Sequence, residues 1–184
     1  MLTLENTVLA IIDVQGKLAQ IMYDKKSLFA NLQRIIRGAQ TLNIPILWAE
    51  QIPEKLGATV PEISNLLTDQ HPVTKLCFSC CGEERFMQNL KTIDRKQILI
   101  AGIETHVCVY QTVMDLLASG YEIHVLADAV SSRTLTNKEV GLNIMKESGA
   151  KIQSVEMVLF ELLKRAEEWL NIRTVCGAGM LISS

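Results

Sequence analysis

Short runs of apolar residues alternate along the chain with longer stretches in which apolar residues recur every three or four positions. The runs are apolar on both faces and rich in strand formers, which is typical of strands inside a sheet that helices cover on both sides. They predict strands at residues 8–12, 44–48, 98–101 and 123–127, with a further strand near 151–155 and a short one at 71–75.

The stretches between these runs predict helices at residues 28–42, 83–93, 109–117, 136–148 and 156–170. Thr136, with Glu139 three residues later, is a candidate capping box, and Gly120 stands where a left-handed C-terminal cap is expected. Strands and helices in alternation predict a three-layer α/β/α fold around a mostly parallel sheet of about five or six strands, joined by right-handed crossovers.

A chain of 184 residues, 48% of them apolar, has the length and the core material of one domain. We expect that domain to span residues 1–184, with a core at about 6–165 and an apolar tail at 171–184 that packs on the core or on a neighbouring subunit. Residues 51–71 form the longest irregular stretch, which is expected to be a loop over the active face.

Charge and hydropathy narrow the class of partner. The formal net charge is −2, so no basic excess points to nucleic acid. No apolar run approaches the roughly 20 residues that span a bilayer, and the first residues lack the positive charge of a signal peptide. We therefore expect a cytoplasmic protein without a membrane partner, whose five cysteines are reduced thiols.

Cys108 is the leading candidate for chemistry. It follows the strand at residues 98–101 across a short turn, and ligands of an open α/β sheet bind beyond the carboxyl ends of its strands. The N–H groups and dipole at the start of the next helix favour the thiolate, which is the nucleophilic form of cysteine. The alternative is a small buried apolar side chain, the common fate of a free cysteine.

Asp13 and Lys75 are candidates for the same edge of the sheet. Asp13 ends the first strand, where burial would raise its pKa and suit it to proton transfer; the alternative is an acid that caps the following loop. Lys75 lies on a short strand that leads to the same edge, and a lysine beside a thiol favours the thiolate. The alternative for Lys75 is an ordinary surface lysine.

Other residues are candidates for lining a pocket. Gln15 and Gln51 lie close to strand ends, whereas Trp48, Phe29 and Phe78 either line a pocket or pack in the core.

The sequence also holds Cys77, Cys80 and Cys81, which are spaced like a redox or metal motif. A redox CxxC begins a helix after a strand, and zinc needs a second pair of ligands. No histidine pair in the chain has that spacing, so we expect no metal here.

Four segments together resemble the isochorismatase-like hydrolase family, which includes nicotinamidases and N-carbamoylsarcosine amidases. They read AIIDVQ at residues 10–15, TK at 74–75, AGIETHVCV at 101–109 and DAVSSR at 128–133. Three further segments resemble its isochorismatase-domain-containing branch and read EQIP at 50–53, LGATVPE at 56–62 and SVEMVLFEL at 154–162. Each motif is weak singly, but the set is specific and runs from about residue 6 to 165.

The resemblance implies a catalytic triad of Asp13, Lys75 and Cys108. It also implies a cis peptide bond between Ile103 and Glu104, and an oxyanion hole made by the backbone N–H groups of Glu104 and Cys108.

Two departures from the family narrow the activity that the resemblance implies. Metal-binding nicotinamidases carry an Asp-x-His pair after the second strand, where this chain reads Glu50 and Gln51, so no metal is expected. True isochorismatases have no cysteine nucleophile, so Cys108 favours cleavage of an amide or related C–N bond over hydrolysis of a vinyl ether.

The sequence thus predicts a cysteine hydrolase that acts on a small molecule through a thioester on Cys108 and uses no cofactor. Because family members are commonly oligomeric, the chain is also expected to form a homo-oligomer. One alternative is a non-catalytic protein that keeps the fold as a scaffold or interaction partner. The other is a redox or metal protein built on Cys77, Cys80 and Cys81.

Overall fold

The structure, a computed structural model, describes residues 1–165 of the chain. It contains a six-stranded sheet with the strand order β3-β2-β1-β4-β5-β6, and every neighbouring pair is parallel. The strands are β1 (Thr7–Ile12), β2 (Ile46–Gln51), β3 (Val73–Lys75), β4 (Gln97–Ile103), β5 (Glu122–Ser131) and β6 (Lys151–Gln153). The predicted α/β class with a mostly parallel sheet is confirmed.

Helices connect the strands and cover both faces of the sheet. They are α1 (Gly16–Gln20), α2 (Lys25–Thr41), α3 (Pro53–Leu56), α4 (Pro61–Ser64), α5 (Glu84–Ile93), α6 (Tyr110–Ala118), α7 (Leu135–Glu147) and α8 (Val155–Leu163). No helix in the described residues is long and apolar enough to cross a membrane. The apolar tail expected at residues 171–184 lies outside the described part of the chain.

The central strand β1 shows why its sequence is apolar on both faces. Leu9 and Ile11 belong to a core that includes residues of α2 and α8, whereas Val8, Ala10 and Ile12 belong to a core with α5 and α6 on the other side. All six residues of β1 are buried. A strand between two cores favours apolar side chains on both faces, and the one polar residue of β1, Thr7 at its start, donates its hydroxyl to the carbonyl of Thr3 at 2.6 Å.

Several helix boundaries differ from the prediction by one to a few residues, and at two of them the local structure gives the reason. The N-cap of α7 is Thr134, whose Oγ1 accepts a hydrogen bond from the N–H of Asn137 at 3.2 Å, so the capping box expected at Thr136 is wrong. The last helix, expected to reach residue 170, ends at Leu163, because Lys164 adopts a left-handed conformation with φ 58°.

The second strand was predicted at residues 44–48 but runs from Ile46 to Gln51. Pro45 precedes it and has no N–H to donate to a ladder, although its carbonyl accepts a hydrogen bond from Leu9 at 2.9 Å. The later end of β2 carries Gln51 further toward the carboxyl edge of the sheet.

The stretch predicted as a loop at residues 51–71 contains the short helices α3 and α4, each beginning with proline. Gln15 fixes this segment, since its Nε2 donates to the carbonyl of Gly57 at 2.7 Å. Gly16 allows the close approach: its φ is +44°, and a Cβ there would lie 2.2 Å from the carbonyl oxygen of Leu56. The segment therefore lies against the carboxyl edge of β1.

A polar cluster ties β4, β5 and β6 together at the opposite end of the sheet from that edge. The Glu122 carboxylate contacts Lys151, accepts a hydrogen bond from Gln97 at 3.0 Å and lies 3.0 Å from His124 Nε2. The hydrogen bonds from Lys151 and Gln97 lower the pKa of Glu122 to about 2.

Because the pKa of Glu122 is depressed in the folded protein, its contribution to stability is present above its ordinary value of 4.5 and is lost as the pH falls toward about 2. The free energy of unfolding of the wild-type protein should fall as the pH is lowered from 4.5 to about 2. In the variant Glu122→Gln we expect this decrease to be smaller, because glutamine cannot take up the proton. Urea denaturation at a series of pH values measures this. Glu147→Gln, at an exposed carboxylate ending α7, is the matched control and should leave the acid dependence unchanged.

Candidate active site

Three elements bring Asp13, Lys75 and Cys108 to the carboxyl edge of the sheet. Asp13 follows β1, Lys75 ends β3, and Cys108 lies beyond β4 in a turn of π-type helix, Thr105–Val109, that leads into α6. A cavity of about 430 Å³ opens here, and Asp13 and Cys108 line it. Lys75 lies beneath the cavity lining, with a fully buried side chain.

Asp13 and Lys75 form a buried ion pair, with Lys75 Nζ 2.7 Å from Asp13 Oδ2. The ammonium group also donates to Gln51 Oε1 at 3.2 Å and to the carbonyls of Cys77 at 3.1 Å and Phe78 at 3.0 Å. These acceptors compensate the desolvation of the lysine, which a buried cation requires. Lys75 is therefore a buried, fully coordinated cation and not a surface residue.

Burial raises the pKa of Asp13, and the charge and hydrogen bond of Lys75 only partly oppose that rise. Asp13 Oδ1 has no hydrogen-bond donor among the described residues. The carboxyl group thus has a free acceptor atom next to the cavity and a raised affinity for a proton, both of which suit a group that exchanges protons with a ligand.

The Cys108 thiol is buried beside Asp13 and Gln51. Its Sγ donates a hydrogen bond to Gln51 Oε1 at 3.2 Å. Burial, followed by the negative charge of Asp13, raises the pKa of the thiol to about 12, and the opposing effect of Lys75 is smaller. This direction is opposite to the one that the helix start was expected to give, because burial and the neighbouring carboxylate both favour the thiol over the thiolate.

The turn before Cys108 is held by contacts on two sides. The peptide bond between Ile103 and Glu104 is cis, and the Glu104 carboxylate accepts hydrogen bonds from the N–H of Arg133 at 3.0 Å and from its Nε at 3.1 Å. On the other side, α7 packs closely because of Gly141, where a Cβ would lie 3.0 Å from the carbonyl oxygen of Thr105. These contacts fix where the Cys108 side chain points.

Gln51 links the acid–lysine pair to the thiol. Its Oε1 accepts from both Lys75 and Cys108, while its Nε2 donates to the carbonyl of Leu76 at 3.3 Å. The Oε1 of Gln15 accepts from the backbone N–H of Gln51 at 2.7 Å and thereby fixes the end of β2. The sequence pointed to Gln15 and Gln51 as cavity-lining residues but not to these contacts, which depend on segments far apart in the chain.

Of the three aromatic side chains considered for the pocket, one lines the cavity and two lie in the core. Phe78 lines the cavity. Trp48, which we expected as a lining residue, is absent from the lining: it is buried in the core, where its Nε1 donates to Thr59 Oγ1 at 2.9 Å. Phe29 lies in the same core. Side chains alternate along β2, so Trp48 and Gln51 lie on opposite faces of the sheet.

Sequence analysis missed most of the apolar lining of the cavity. These residues lie on α1, on α3, between β3 and α5, and around the Cys108 turn; they are Leu18, Ile52, Leu56, Leu76, Ile103 and Val107. Their positions next to predicted strand ends were the available signal, because connections at that edge of a parallel sheet form its binding site.

The other cysteines do not form a metal site in the described residues. Cys80 is buried and burial raises its pKa; burial also raises the pKa of Cys81, to about 11, while Cys77 is exposed. No group of three or more potential ligands of the types His, Cys, Asp and Glu occurs among residues 1–165. Lys75 donates to the carbonyls of Cys77 and Phe78 and so fixes the segment that carries these cysteines. The fold therefore accounts for their position without a metal.

This strand order, with helices on both faces and a buried acid, lysine and cysteine at the carboxyl edge, defines an α/β protein with a cavity at the carboxyl edge of its sheet. The model of the family described as Isochorismatase domain matches residues 7–157, and the chain belongs to the isochorismatase family. The resemblance inferred from sequence motifs is thereby confirmed, and with it a hydrolase fold.

Named relatives align over most of the chain. The secreted isochorismatase effector Isc1 of Phytophthora sojae is 38% identical over 167 residues, covering 88% of this chain and 79% of that protein. Isochorismatase domain-containing protein 2 of Danio rerio is 35% identical, covering 90% and 83%. Among solved structures, the MAR1 ribonuclease of Caenorhabditis elegans is 30% identical with a TM-score of 0.85, covering 100% and 98%. The Escherichia coli YcaC structure, described as an octameric hydrolase of unknown specificity, shares the fold at 22% identity and a TM-score of 0.86, covering 92% and 84%.

Proposed function

We propose that this chain is a cysteine hydrolase that cleaves an amide or related C–N bond of a small molecule through a thioester on Cys108. The observation that carries the proposal is the buried Asp13–Lys75 ion pair beside a buried thiol on one cavity. Membership of a hydrolase family supports it. A structural cysteine would not need a proton acceptor and a coordinated lysine beside it.

Proton transfer is the first step. When the substrate enters, the Cys108 thiol turns its proton from Gln51 to Asp13, and the sulfur attacks the carbonyl carbon as the proton moves. The thiol pKa of about 12 means that sulfur and proton separate only during attack. The Lys75 ammonium group, 2.7 Å from Asp13 Oδ2, stabilises the carboxylate before the transfer.

Collapse of the tetrahedral intermediate releases the amine. The backbone N–H groups of Glu104 and Cys108 stabilise the oxyanion. Asp13 returns the proton to the nitrogen as the C–N bond breaks, which leaves an acyl group on Cys108. Water then attacks the thioester while Asp13 takes a proton from the water. As the C–S bond breaks, Asp13 passes this proton to the Cys108 sulfur, and the carboxylic acid product leaves.

RNA cleavage, the activity in the name of the C. elegans neighbour, fits this cavity poorly. A polyanion needs several cations to hold its phosphates. Among the described lining residues, Lys55 is the one cation, and it lies exposed. We therefore place phosphodiester cleavage behind amide cleavage, and labelled RNA belongs in the assay as a separate substrate.

Assembly and location stay predictions. The homo-oligomer expected from the family has support from the octamer described for YcaC, a protein that shares the fold. The exposed apolar side chains of Val140 on α7 and Met157 on α8 are candidates for such a contact. A cytoplasmic location stays a prediction beside a relative named as a secreted effector.

The test is a panel of small amides, ureas and carbamoyl compounds, with ammonia release as the readout. We expect at least one compound to be hydrolysed, and acid quenching during turnover to leave an acyl mass on the Cys108 peptide in mass spectrometry. An adduct on a different residue would refute the mechanism. Absence of turnover and adducts over the whole panel would favour the non-catalytic scaffold.

A further inference from the structure

The mouth of the cavity is apolar although it faces water. Leu56 is 40% exposed, Phe78 is 53% exposed and Leu76 is 73% exposed, and all three line the cavity together with Ile52. Single exposed apolar side chains are ordinary on a protein surface. A group of them around one opening indicates that an apolar part of a ligand covers them.

The amide side chains inside the cavity already have partners. Gln15 Nε2 donates to the carbonyls of Gln51 at 3.1 Å and Gly57 at 2.7 Å. Gln51 uses its oxygen for Lys75 and Cys108 and its nitrogen for Leu76. A ligand that recruited either side chain would have to break contacts that hold the site, so neither one is available for recognising a polar substituent.

The charged groups of the cavity are also compensated. Lys75 neutralises Asp13, and Arg133 donates two hydrogen bonds to the Glu104 carboxylate. Lys55 is the remaining cation among the described lining residues, but it is exposed, and an ion pair in water contributes little. A ligand carboxylate inside the cavity would lose its hydration without gaining a buried cation.

One acceptor in the cavity is left open. Asp13 Oδ1 is buried and makes no hydrogen bond of full geometry in the described part of the chain, although the Cys108 thiol and the Gln51 N–H lie close enough to lower the carboxyl pKa. It therefore calls for a ligand that brings an N–H donor to the base of the cavity, next to Cys108. A ligand with an N–H group at one end and an apolar group at the other would therefore bind with its N–H at the base and its apolar group at the mouth.

We infer that the substrates of this site are uncharged carboxamides whose acyl group carries an apolar chain or ring. The amide N–H donates to Asp13 at the base, and the apolar group lies against Leu56, Leu76 and Phe78 at the mouth. This inference rests on the proposed amide hydrolysis and names its substrate class. It excludes amides that end in a second, charged carboxylate.

Hydrolysis of a matched pair of amides tests the inference. Hexanamide and the monoamide of adipic acid present the same amide and a chain of similar length, but the second ends in a carboxylate. We expect kcat/KM for hexanamide to be about 100-fold higher or more, because a carboxylate held against the apolar side chains of the mouth loses hydration without gaining a buried cation. Equal or better hydrolysis of the adipic monoamide would overturn the inference and leave the proposed amidase intact.

A variant at the mouth adds a second check. Leu76 is exposed, so Leu76→Lys should fold normally and place a cation at the opening; we expect it to narrow the preference for hexanamide about 10-fold or more. Leu76→Met keeps the apolar character and is the matched control, which should retain the preference. An unchanged preference in Leu76→Lys would show that the mouth does not contact the chain of the substrate.

Alkylation of Cys108 measures the same preference without turnover. N-butyl iodoacetamide and N-(3-carboxypropyl) iodoacetamide both transfer their carbon to sulfur with loss of iodide, while the thiol proton goes to Asp13 and then to solvent. Labelling of Cys108 in the folded protein, divided by labelling of the same residue in urea, should be about 10-fold higher or more for the neutral reagent. If this preference holds while no amide is hydrolysed, the proposed function fails and the preference of the cavity stands. Equal ratios for the two reagents would overturn the inference.

Discussion

Replacing Cys108 by alanine is expected to lower the rate of amide hydrolysis by a factor on the order of 10⁴ or more. The substitution removes the sulfur that forms the thioester in the proposed mechanism, and alanine offers no nucleophile in its place. Steady-state ammonia release, at a substrate concentration that saturates the wild-type protein, measures the loss. The chain should stay folded, because the exchange removes one sulfur atom from a residue that is 8% exposed. We expect the free energy of unfolding to change by about 1 kcal/mol or less.

A second cysteine, Cys81, serves as a control that distinguishes loss of a nucleophile from loss of packing. Cys81 is half-buried and its thiol lies 3.9 Å from the carbonyl oxygen of Thr112, away from the cavity lining. Cys81→Ala should therefore retain hydrolysis at close to the wild-type rate. Loss of activity in Cys81→Ala with retention in Cys108→Ala would reverse the assignment and revive a role for the other cysteines.

The protonated state of Cys108 has a kinetic consequence. A thiol whose pKa is raised to about 12 by burial and by Asp13 does not react as a free thiolate near neutral pH. In the proposed mechanism it reacts when a bound substrate brings an electrophilic carbon to the sulfur and Asp13 takes the proton. That mechanism couples formation of the nucleophile to substrate binding.

Replacing Lys75 by methionine is expected to cost about 3–5 kcal/mol in the free energy of unfolding and to abolish hydrolysis. The lysine is fully buried, and its loss leaves the Asp13 carboxylate without a counter-charge. It also leaves the carbonyls of Cys77 and Phe78 without their donor. The pKa of Asp13, already raised by burial, should rise further without the charge and hydrogen bond of Lys75. Urea denaturation measures the stability.

The double variant Asp13→Asn with Lys75→Met tests whether the pair acts as a unit. Removing both charges should recover part of the lost stability, because no unpaired charge is left buried, while hydrolysis stays absent. The recovery is partial, since the two carbonyls still lack the ammonium group. Lys26→Met on the exposed face of α2 is the surface control, expected to change stability by about 0.5 kcal/mol or less. Additive effects of the two single changes would contradict the ion pair.

The order of strands and helices could be predicted from sequence because it depends on local periodicity. The runs at residues 8–12, 98–101 and 123–127 fall within observed strands. Boundaries were less accurate where one contact decides them, as at Thr134, which caps α7 in place of Thr136. The short helices α3 and α4 were missed because they contain four residues each, too few for a period to appear.

The side chains of the candidate site could be predicted from the sequence, but their burial and their contacts with one another could not. Polar residues directly after apolar strands, such as Asp13, stand out in the sequence because strand ends meet at one edge of a parallel sheet. Trp48 was misplaced because a residue near the end of a strand lies on either face, and the register decides which. Gln51 was recognised as a lining residue, but its contacts with Lys75 and Cys108 depend on three separate segments.

The sequence by itself determined the layered architecture, the family and the residues able to do chemistry, since these follow from periodicity and from side-chain type. The tertiary structure alone decided that Lys75 is buried against Asp13, that burial raises the pKa of the Cys108 thiol, and that the mouth of the cavity is apolar. Each of these depends on how much water is excluded around a group and which distant groups replace it. Desolvation and ion pairing depend on groups from several segments that meet only in the folded protein, so no single segment of the sequence predicts them.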